Sequence, residues 1–502
     1  MEKFNNVVAA IDGYVWGVPL IVLILFGGIY LTIRLRGLQI HHLPLALKWM
    51  VHNEEEGTGE VSSFGALCTA LAATIGTGNI VGVATAIKTG GPGALFWMLI
   101  AALFGMATKY SEGFLAIKYR KVEEDGHILG GPFYYIERGM GKKWKWLAYL
   151  FCIFGTCAAM FGIGTITQVS GISRSVQIFF DPHKAHTVNI PGVGPTTWAV
   201  IITSIVVAFL AGLVLIGGIK RISSVSQVVV PFMAAAYILL VLILIFANIR
   251  SFPHAIAVIC AEAFNPQAIK GGGLATLFVV IQAGVARGIF SNESGLGSAP
   301  IAAAAATTKS PVRQGLVSMT GTFIDTIVVC NMTGLAIVIT GAYKHSELEG
   351  AEMTVRAFQD GLPFPPYVSS FVVMAALTFF AFTTILGWNY YGERCMDYLT
   401  HGNKIALNIY RWVYILMVFI GPFLTVSAVW NIADIFNGLM AIPNMIALFA
   451  LSGVISRETR QFFKDRKYLK QNEDDNQELE ELRVAIDEGN AEHNDRIAHK
   501  KH

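Results

Sequence analysis

Apolar windows long enough to cross about 30 Å of hydrocarbon, at roughly 20 helical residues per crossing, follow one another along almost the whole chain. They lie near 15–32, 62–88, 93–117, 146–173, 198–217, 225–248, 273–305, 313–341, 366–392, 407–430 and 433–455. Backbone in lipid must satisfy its own hydrogen bonds, so only helices or closed barrels are open to it, and runs this long and unbroken read as helices. Eleven spans are expected. At 502 residues the chain would otherwise make about three soluble domains, but only 14% of it is charged and 54% is hydrophobic, with a mean hydropathy of +0.55. A soluble surface cannot be built from that. Fifty glycines instead suit closely packed membrane helices. A formal net charge of +3, carried mostly between the windows, gives no footprint for nucleic acid. Cys68, Cys152, Cys157, Cys260, Cys330 and Cys395 sit in apolar stretches with no metal spacing, and are read as small buried hydrophobes.

An odd number of spans puts the two ends on opposite sides, and lysine and arginine decide which side is cytoplasmic. The loop between the third and fourth spans alone holds Lys118, Arg120, Lys121, Arg138, Lys142, Lys143 and Lys145, whereas the next loop holds only Arg174 and Lys184. The N-terminus is therefore expected outside and the C-terminus in the cytoplasm, in a multi-pass protein of the cell membrane. Residues 1–16 carry Glu2, Lys3 and Asp12 and lack the pattern of a signal peptide, so the first span is expected to stay in the mature protein. The division expected is an N-terminal segment with an extra helix (1–61), a first five-helix repeat (62–249), an external connector (250–271), a second five-helix repeat (272–455) and a charged cytoplasmic tail (456–502).

Two spans are interrupted in the same way. In the second, Ala72-Ala73-Thr74-Ile75-Gly76-Thr77-Gly78-Asn79 places glycines and polar groups mid-membrane, and in the seventh Gly288-Ile289-Phe290-Ser291-Asn292-Glu293-Ser294-Gly295-Leu296-Gly297 does so more severely. Each Gly costs a helix interior about 1 kcal/mol, and unpaired backbone groups in hydrocarbon cost several more. Such breaks persist where they line a cavity. They head successive blocks of five spans, the layout of inverted repeats in secondary transporters, with the substrate at the crossing of the two discontinuous helices. A half-helix starting near Thr77-Gly78, or near Ser291-Asn292, offers N–H groups to a carboxylate. The arm that ends near Ala72 and Ile75 offers carbonyls to a cation. Together they suit a zwitterion.

Elsewhere in the membrane, Thr383 and Thr384 follow Phe380 in the ninth span and present adjacent hydroxyls fit for sodium, or simply bonded to the preceding turn. Gln168, among Thr165, Thr167 and Ser170, either faces the cavity or bridges helices. Ionisable groups inside spans carry a functional presumption: Glu293 reads as a partner for an ammonium group or as a helix cap, and Arg287 and Asp325 as a gate pair or a structural pair.

Gly91-Pro92-Gly93-Ala94, Met106-Ala107-Thr108-Lys109-Tyr110-Ser111-Glu112, Gly130-Gly131-Pro132-Phe133-Tyr134-Tyr135-Ile136 and, above all, Ser291-Asn292-Glu293-Ser294-Gly295-Leu296-Gly297-Ser298-Ala299-Pro300 resemble the alanine or glycine:cation symporter family. These are the sodium:alanine symporters of the amino acid–polyamine–organocation superfamily, and the likeness runs from about 15 to 455. It implies a leucine-transporter-type core of five plus five helices with one extra N-terminal helix. It also implies sodium- or proton-driven uptake of small neutral amino acids such as alanine, glycine or glutamine, with no organic cofactor. By position it implies that Thr77 and Gly78 hold the carboxylate, with Gln168, Asn292 and Thr383 as further polar contacts. The Ala72 and Ile75 carbonyls, the Phe380 carbonyl and the Thr383 and Thr384 hydroxyls would form a sodium site. A membrane enzyme would need a nucleophile–base pair or a metal cluster, and the sequence presents neither. The glycine-rich stretch at 76–82 lacks the preceding strand of a nucleotide loop. A channel would conduct without saturation by amino acid.

Overall fold

The computed structural model describes residues 2–52, 57–124, 127–190, 193–264, 273–424 and 426–471. The 265–271 part of the expected connector and the tail beyond 471 lie outside the described residues. Among the described residues, nine helices are long and apolar enough to cross a membrane, and Ser63–Thr74 with Gly78–Gly90, bent by 51°, makes a tenth. The shorter apolar helix Leu277–Asn292 is the long arm of the seventh span. Each expected window therefore meets a helix, and the all-α membrane architecture is found.

Local chemistry sets the helix ends. Ser62 caps the first arm of the second span by accepting from the Gly65 N–H at 3.0 Å, and Ser310 caps the eighth span at the Arg313 N–H. The first span, Val18–Arg34, follows a separate helix, Glu2–Val15. Trp16 joins the two to the last span, its Nε1 donating to the Asp434 carbonyl at 2.6 Å. The eleventh span belongs to Val426–Gln471, so residues 426–430, expected at the end of the tenth span, start this helix, which also continues into the basic beginning of the tail.

The fourth window departs from expectation. It is two helices, Lys145–Phe161 and Ile166–Phe180, separated at Gly162-Ile163-Gly164-Thr165. The eighth span remains continuous but widens over Phe323–Cys330 into a π-helical turn.

Lipid is as apolar as a leucine side chain, so van der Waals contact rather than the hydrophobic effect holds these helices together. Backbones accordingly cross at small residues. A Cβ on Gly113 of the third span would lie 2.4 Å from the Ser318 hydroxyl of the eighth, and one on Gly284 of the seventh 2.2 Å from the Ala94 carbonyl. Two apolar cores result, one around the third, fourth, ninth and eleventh spans and the other around the second, sixth and eighth. Trp198–Leu215 turns Ile202, Ile205 and Phe209 outward, as a lipid-facing helix does. Of the cysteines, Cys68, Cys152, Cys330 and Cys395 are buried as expected, while Cys157 is half-buried and Cys260 is exposed.

Candidate functional site

The second span stops at Thr74 because its next hydrogen bonds are diverted. The Gly76 N–H, which in a continuing helix would reach the Ala72 carbonyl, donates instead to Asn79 Oδ1 at 2.8 Å. The Thr77 N–H donates to Gln168 Oε1 at 3.0 Å, and the Asn79 N–H turns back to the Gly76 carbonyl at 3.3 Å. The Ala72 and Ile75 carbonyls are thereby released from the helix ladder. Thr384 of the ninth span meets them, its hydroxyl 3.0 Å from the Ala72 carbonyl, 3.3 Å from Ile75 and 3.0 Å from its own Phe380. Three neutral carbonyl oxygens and a hydroxyl, all buried, are hard-oxygen chemistry, which fits a sodium ion. Thr383 is placed differently. Its hydroxyl lies 2.9 Å from the Phe380 carbonyl and 3.1 Å from Phe379, beside the Met233 sulfur of the sixth span, so it shares only Phe380 with this group.

On the other side of the break the chain restarts through a wide turn, Gly78–Gly82. Thr77 is fully buried, and its hydroxyl has no hydrogen-bond partner. Gly78 faces the seventh span, where a Cβ would lie 3.2 Å from Ser291 Cα. Asn79 crosses to the eighth span, donating to Asp325 Oδ1 at 2.7 Å.

In the seventh span the long arm Gly273–Asn292 ends at Asn292 and the chain restarts only at Ala299–Ala303. Ser291 and Asn292 therefore close a helix, and the start expected there lies seven residues further on. Glu293, Gly295 and Gly297 all take positive φ, +57°, +92° and +82°. For Glu293 that is a strained conformation, held by its surroundings. Its carboxylate accepts from Trp388 Nε1 at 2.7 Å and from the Ser298 hydroxyl, so its partners are side chains rather than the N–H groups of a helix cap. The Asn292 side chain donates to the Thr326 hydroxyl at 3.1 Å and accepts from the Ser294 N–H at 2.9 Å. Asp325 accepts from the Ser291 and Thr326 hydroxyls at 2.9 and 2.7 Å. The pairing expected between Arg287 and Asp325 is not found: Arg287 pairs with Asp434, at 2.7 and 3.2 Å, and Asp325 with Asn79.

Lys109 and Glu112 of the third span also meet this break, which the sequence reading does not single out. Lys109 Nζ donates to the Asn292 carbonyl at 2.7 Å, at the negative end of the long arm. Glu112 Oε1 accepts from the Gly295 and Gly297 N–H groups, both at 3.1 Å, and from Asn444 Nδ2 at 2.6 Å. Both side chains are buried. Two ionisable residues one helical turn apart inside an apolar window were the signal that marks them.

The unexpected break in the fourth span positions Gln168. Its Nε2 donates to the Ile163 carbonyl at 2.8 Å while Oε1 takes the Thr77 N–H, so one side chain ties two breaks together. Tyr414 adds a second tie, donating to the Gly164 carbonyl at 2.9 Å and the Ile385 carbonyl at 2.7 Å.

Two broken helices thus meet across the ninth span, with released carbonyls on one side of the break and a polar restart on the other. The pattern that defines the sodium:alanine symporter family matches residues 1–477. The chain belongs to that family. It is 47% identical over 471 residues to the sodium/alanine symporter AgcS of Methanococcus maripaludis, covering 92% of this chain and 98% of that protein. An uncharacterized transporter of Haemophilus influenzae is 53% identical over 464 residues, covering 92% and 97%. The probable sodium/glutamine symporter GlnT of Bacillus subtilis is 36% identical over 471 residues, covering 93% and 92%. Among solved structures, MhsT in complex with L-phenylalanine superposes with a TM-score of 0.55 at 14% identity, over 79% of this chain and 90% of that one. This likeness carries the fold alone, and the leucine-transporter-type core expected of the family is found.

Proposed function

We propose that the chain is a secondary active transporter that carries small neutral amino acids into the cell with sodium, by alternating access. One observation carries the reading: the same break in the second span supplies the Ala72 and Ile75 carbonyls gathered at the Thr384 hydroxyl and, on its other side, the buried, unpartnered Thr77 hydroxyl beside Gly78. In this proposal Ala72, Ile75, Phe380, Thr383 and Thr384 hold sodium. The Thr77–Gly78 backbone and the Thr77 hydroxyl hold the carboxylate, with Asn292, Gln168 and Thr383 as surrounding polar groups. Gln168 has a double part, since it must give up the Thr77 N–H or hold Thr77 in place for the substrate. One relative is named a sodium/alanine symporter and another a probable sodium/glutamine symporter, which supports this class of substrate. No catalytic step is proposed. In this proposal the N-terminus lies outside and the C-terminus in the cytoplasm, with five-helix repeats at 62–249 and 272–455 on either side of a connector at 250–271.

A proton in place of sodium is the second reading, favoured by Lys109, Glu112, Glu293 and Asp325 buried together at the second break. Uptake of radiolabelled alanine, glycine and glutamine into proteoliposomes separates the two. An inward sodium gradient at equal pH should drive saturable accumulation of at least one of them. Accumulation with an inward proton gradient alone would move the coupling to the buried carboxylates, and none under either gradient would reject the proposal.

A further inference from the structure

On the face that carries the 118–145 loop, the outer ends of the two broken spans are tied main chain to main chain. The residues leading into Ser63–Thr74 run beside those leaving Ala299–Ala303. The Glu60 and Val61 N–H groups both donate to the Ala305 carbonyl, at 2.9 and 3.2 Å, and the Thr307 N–H donates to the Val61 carbonyl at 2.7 Å. The Thr307 hydroxyl adds a bond to Val61 at 3.0 Å. Contact is so close that a Cβ on Gly59 would come 2.3 Å from Thr307 Cα.

Arg120 lies across this seam. Its Nη1 donates to the Ala304 and Ala306 carbonyls at 2.8 and 2.7 Å, and its Nη2 to the Thr58 and Thr308 carbonyls at 2.7 and 2.9 Å. Ala304 and Ala306 lie just past the five-residue helix Ala299–Ala303, and the guanidinium supplies donors to their carbonyls. Its planar fork also reaches both stretches of chain at once, which a lysine ammonium cannot do in the same geometry.

We propose that Arg120 is the positioning residue of a gate on this face: the Thr58–Val61 and Ala304–Thr308 seam closes the path beneath the broken spans, and Arg120 sets how often it opens. This rests on the transport reading above. Alternating access requires the arms on either side of the breaks to part at one face, and this seam joins those arms.

The test is the rate at which a water-soluble maleimide labels a cysteine placed at Ala70, read on its own peptide by mass spectrometry in the purified full chain. Ala70 borders a cavity of about 10 Å³ between the first arm of the second span, Ala299 and the eighth span. A lost hydrogen bond to a charged group shifts an equilibrium about tenfold or more. Labelling should therefore rise about tenfold or more in Arg120→Ala and by less in Arg120→Lys. Gly59→Ala, which pushes the seam apart without touching Arg120, should raise it too. Labelling unchanged in both Arg120→Ala and Gly59→Ala overturns the gate. Loss of the monodisperse species in both also overturns it, because the contacts would then serve folding. Labelling needs no substrate, so its failure with intact sodium-driven uptake rejects the gate alone, and absent uptake in the parent protein rejects the transport reading alone.

Discussion

Thr384 is where a single atom carries most of the account. Its hydroxyl is the group that reaches both released carbonyls of the second span, whereas the Thr383 hydroxyl stays with its own preceding turn and Met233. Thr384→Ala should therefore raise the sodium concentration for half-maximal uptake by about tenfold or more, as the loss of a ligand to a charge of ~1.5–3 kcal/mol implies. Thr383→Ala should raise it by less. Equal shifts in sodium-titrated uptake would place the ion nearer Thr383. Gln168 carries a different load, since removing it leaves the buried Thr77 N–H without an acceptor. Gln168→Ala should lower stability by roughly 1–3 kcal/mol, seen as a lower thermal midpoint without amino acid. The break itself was legible in the sequence, since glycines and polar residues in the second span mark freed carbonyls near Ala72 and Ile75, whereas their meeting with Phe380 and Thr384 was implied only by the family resemblance. What Gln168 does was not legible, because its acceptor role depends on a break in its own span.

That break shows why some elements could be read and others could not. In the second and seventh spans glycine comes with Thr, Asn, Ser and Glu, so the cost of interrupting a helix is visible as polar residues that only a lined cavity would tolerate. In Phe161-Gly162-Ile163-Gly164-Thr165 the glycines sit among apolar residues, a pattern that equally permits close packing. Gly164 is in fact tightly packed, with a Cβ there falling 2.7 Å from Trp388 Cβ. The same ambiguity hid the partner of Arg287. Charge in the sequence identified a buried pair, but only the approach of the eleventh span to the seventh selects Asp434 over Asp325. Breaking a buried pair from one side costs about 3–5 kcal/mol, so Arg287→Met should destabilise the protein by that order. Adding Asp434→Leu should recover part of the loss, since the Asp434 carboxylate is then no longer left buried without its partner. A double-mutant thermal series with no recovery would show that Arg287 acts through other contacts. At the seam, burial lifts the Glu60 carboxyl, but hydrogen bonds from His127 and the Ile128 N–H and the charges of His127 and Arg394 together hold it below its ordinary value of 4.5. Its contribution to stability is complete above that value and disappears as pH falls through the lowered one. Glu60→Gln should remove this part of the acid-side fall in thermal midpoint, leaving the midpoint less dependent on pH across the acid range.

Across the whole molecule, the breaks lie between two closed faces. On one side is the Arg120 seam. On the other, Ala351–Gly361 covers the restart of the second span, with the Thr354 hydroxyl donating to the Ile80 carbonyl at 3.2 Å and Lys88 Nζ reaching the Leu348 carbonyl at 3.1 Å. With the lysine- and arginine-rich 118–145 loop on the cytoplasmic side, a cysteine at Lys142 should react with an impermeant reagent only after the membrane is permeabilised. Reaction in intact cells would invert the topology. The central claim is that amino acid and sodium bind at one helix break and so depend on each other. Isothermal titration of alanine, or whichever of glycine and glutamine the parent protein takes up, at a series of sodium concentrations tests this most directly. Affinity should rise with sodium in the parent protein, become nearly independent of sodium in Thr384→Ala, and be lost in Gly78→Val, whose side chain would fill the approach to Ser291. Unchanged affinity and unchanged sodium dependence in both variants would contradict the account.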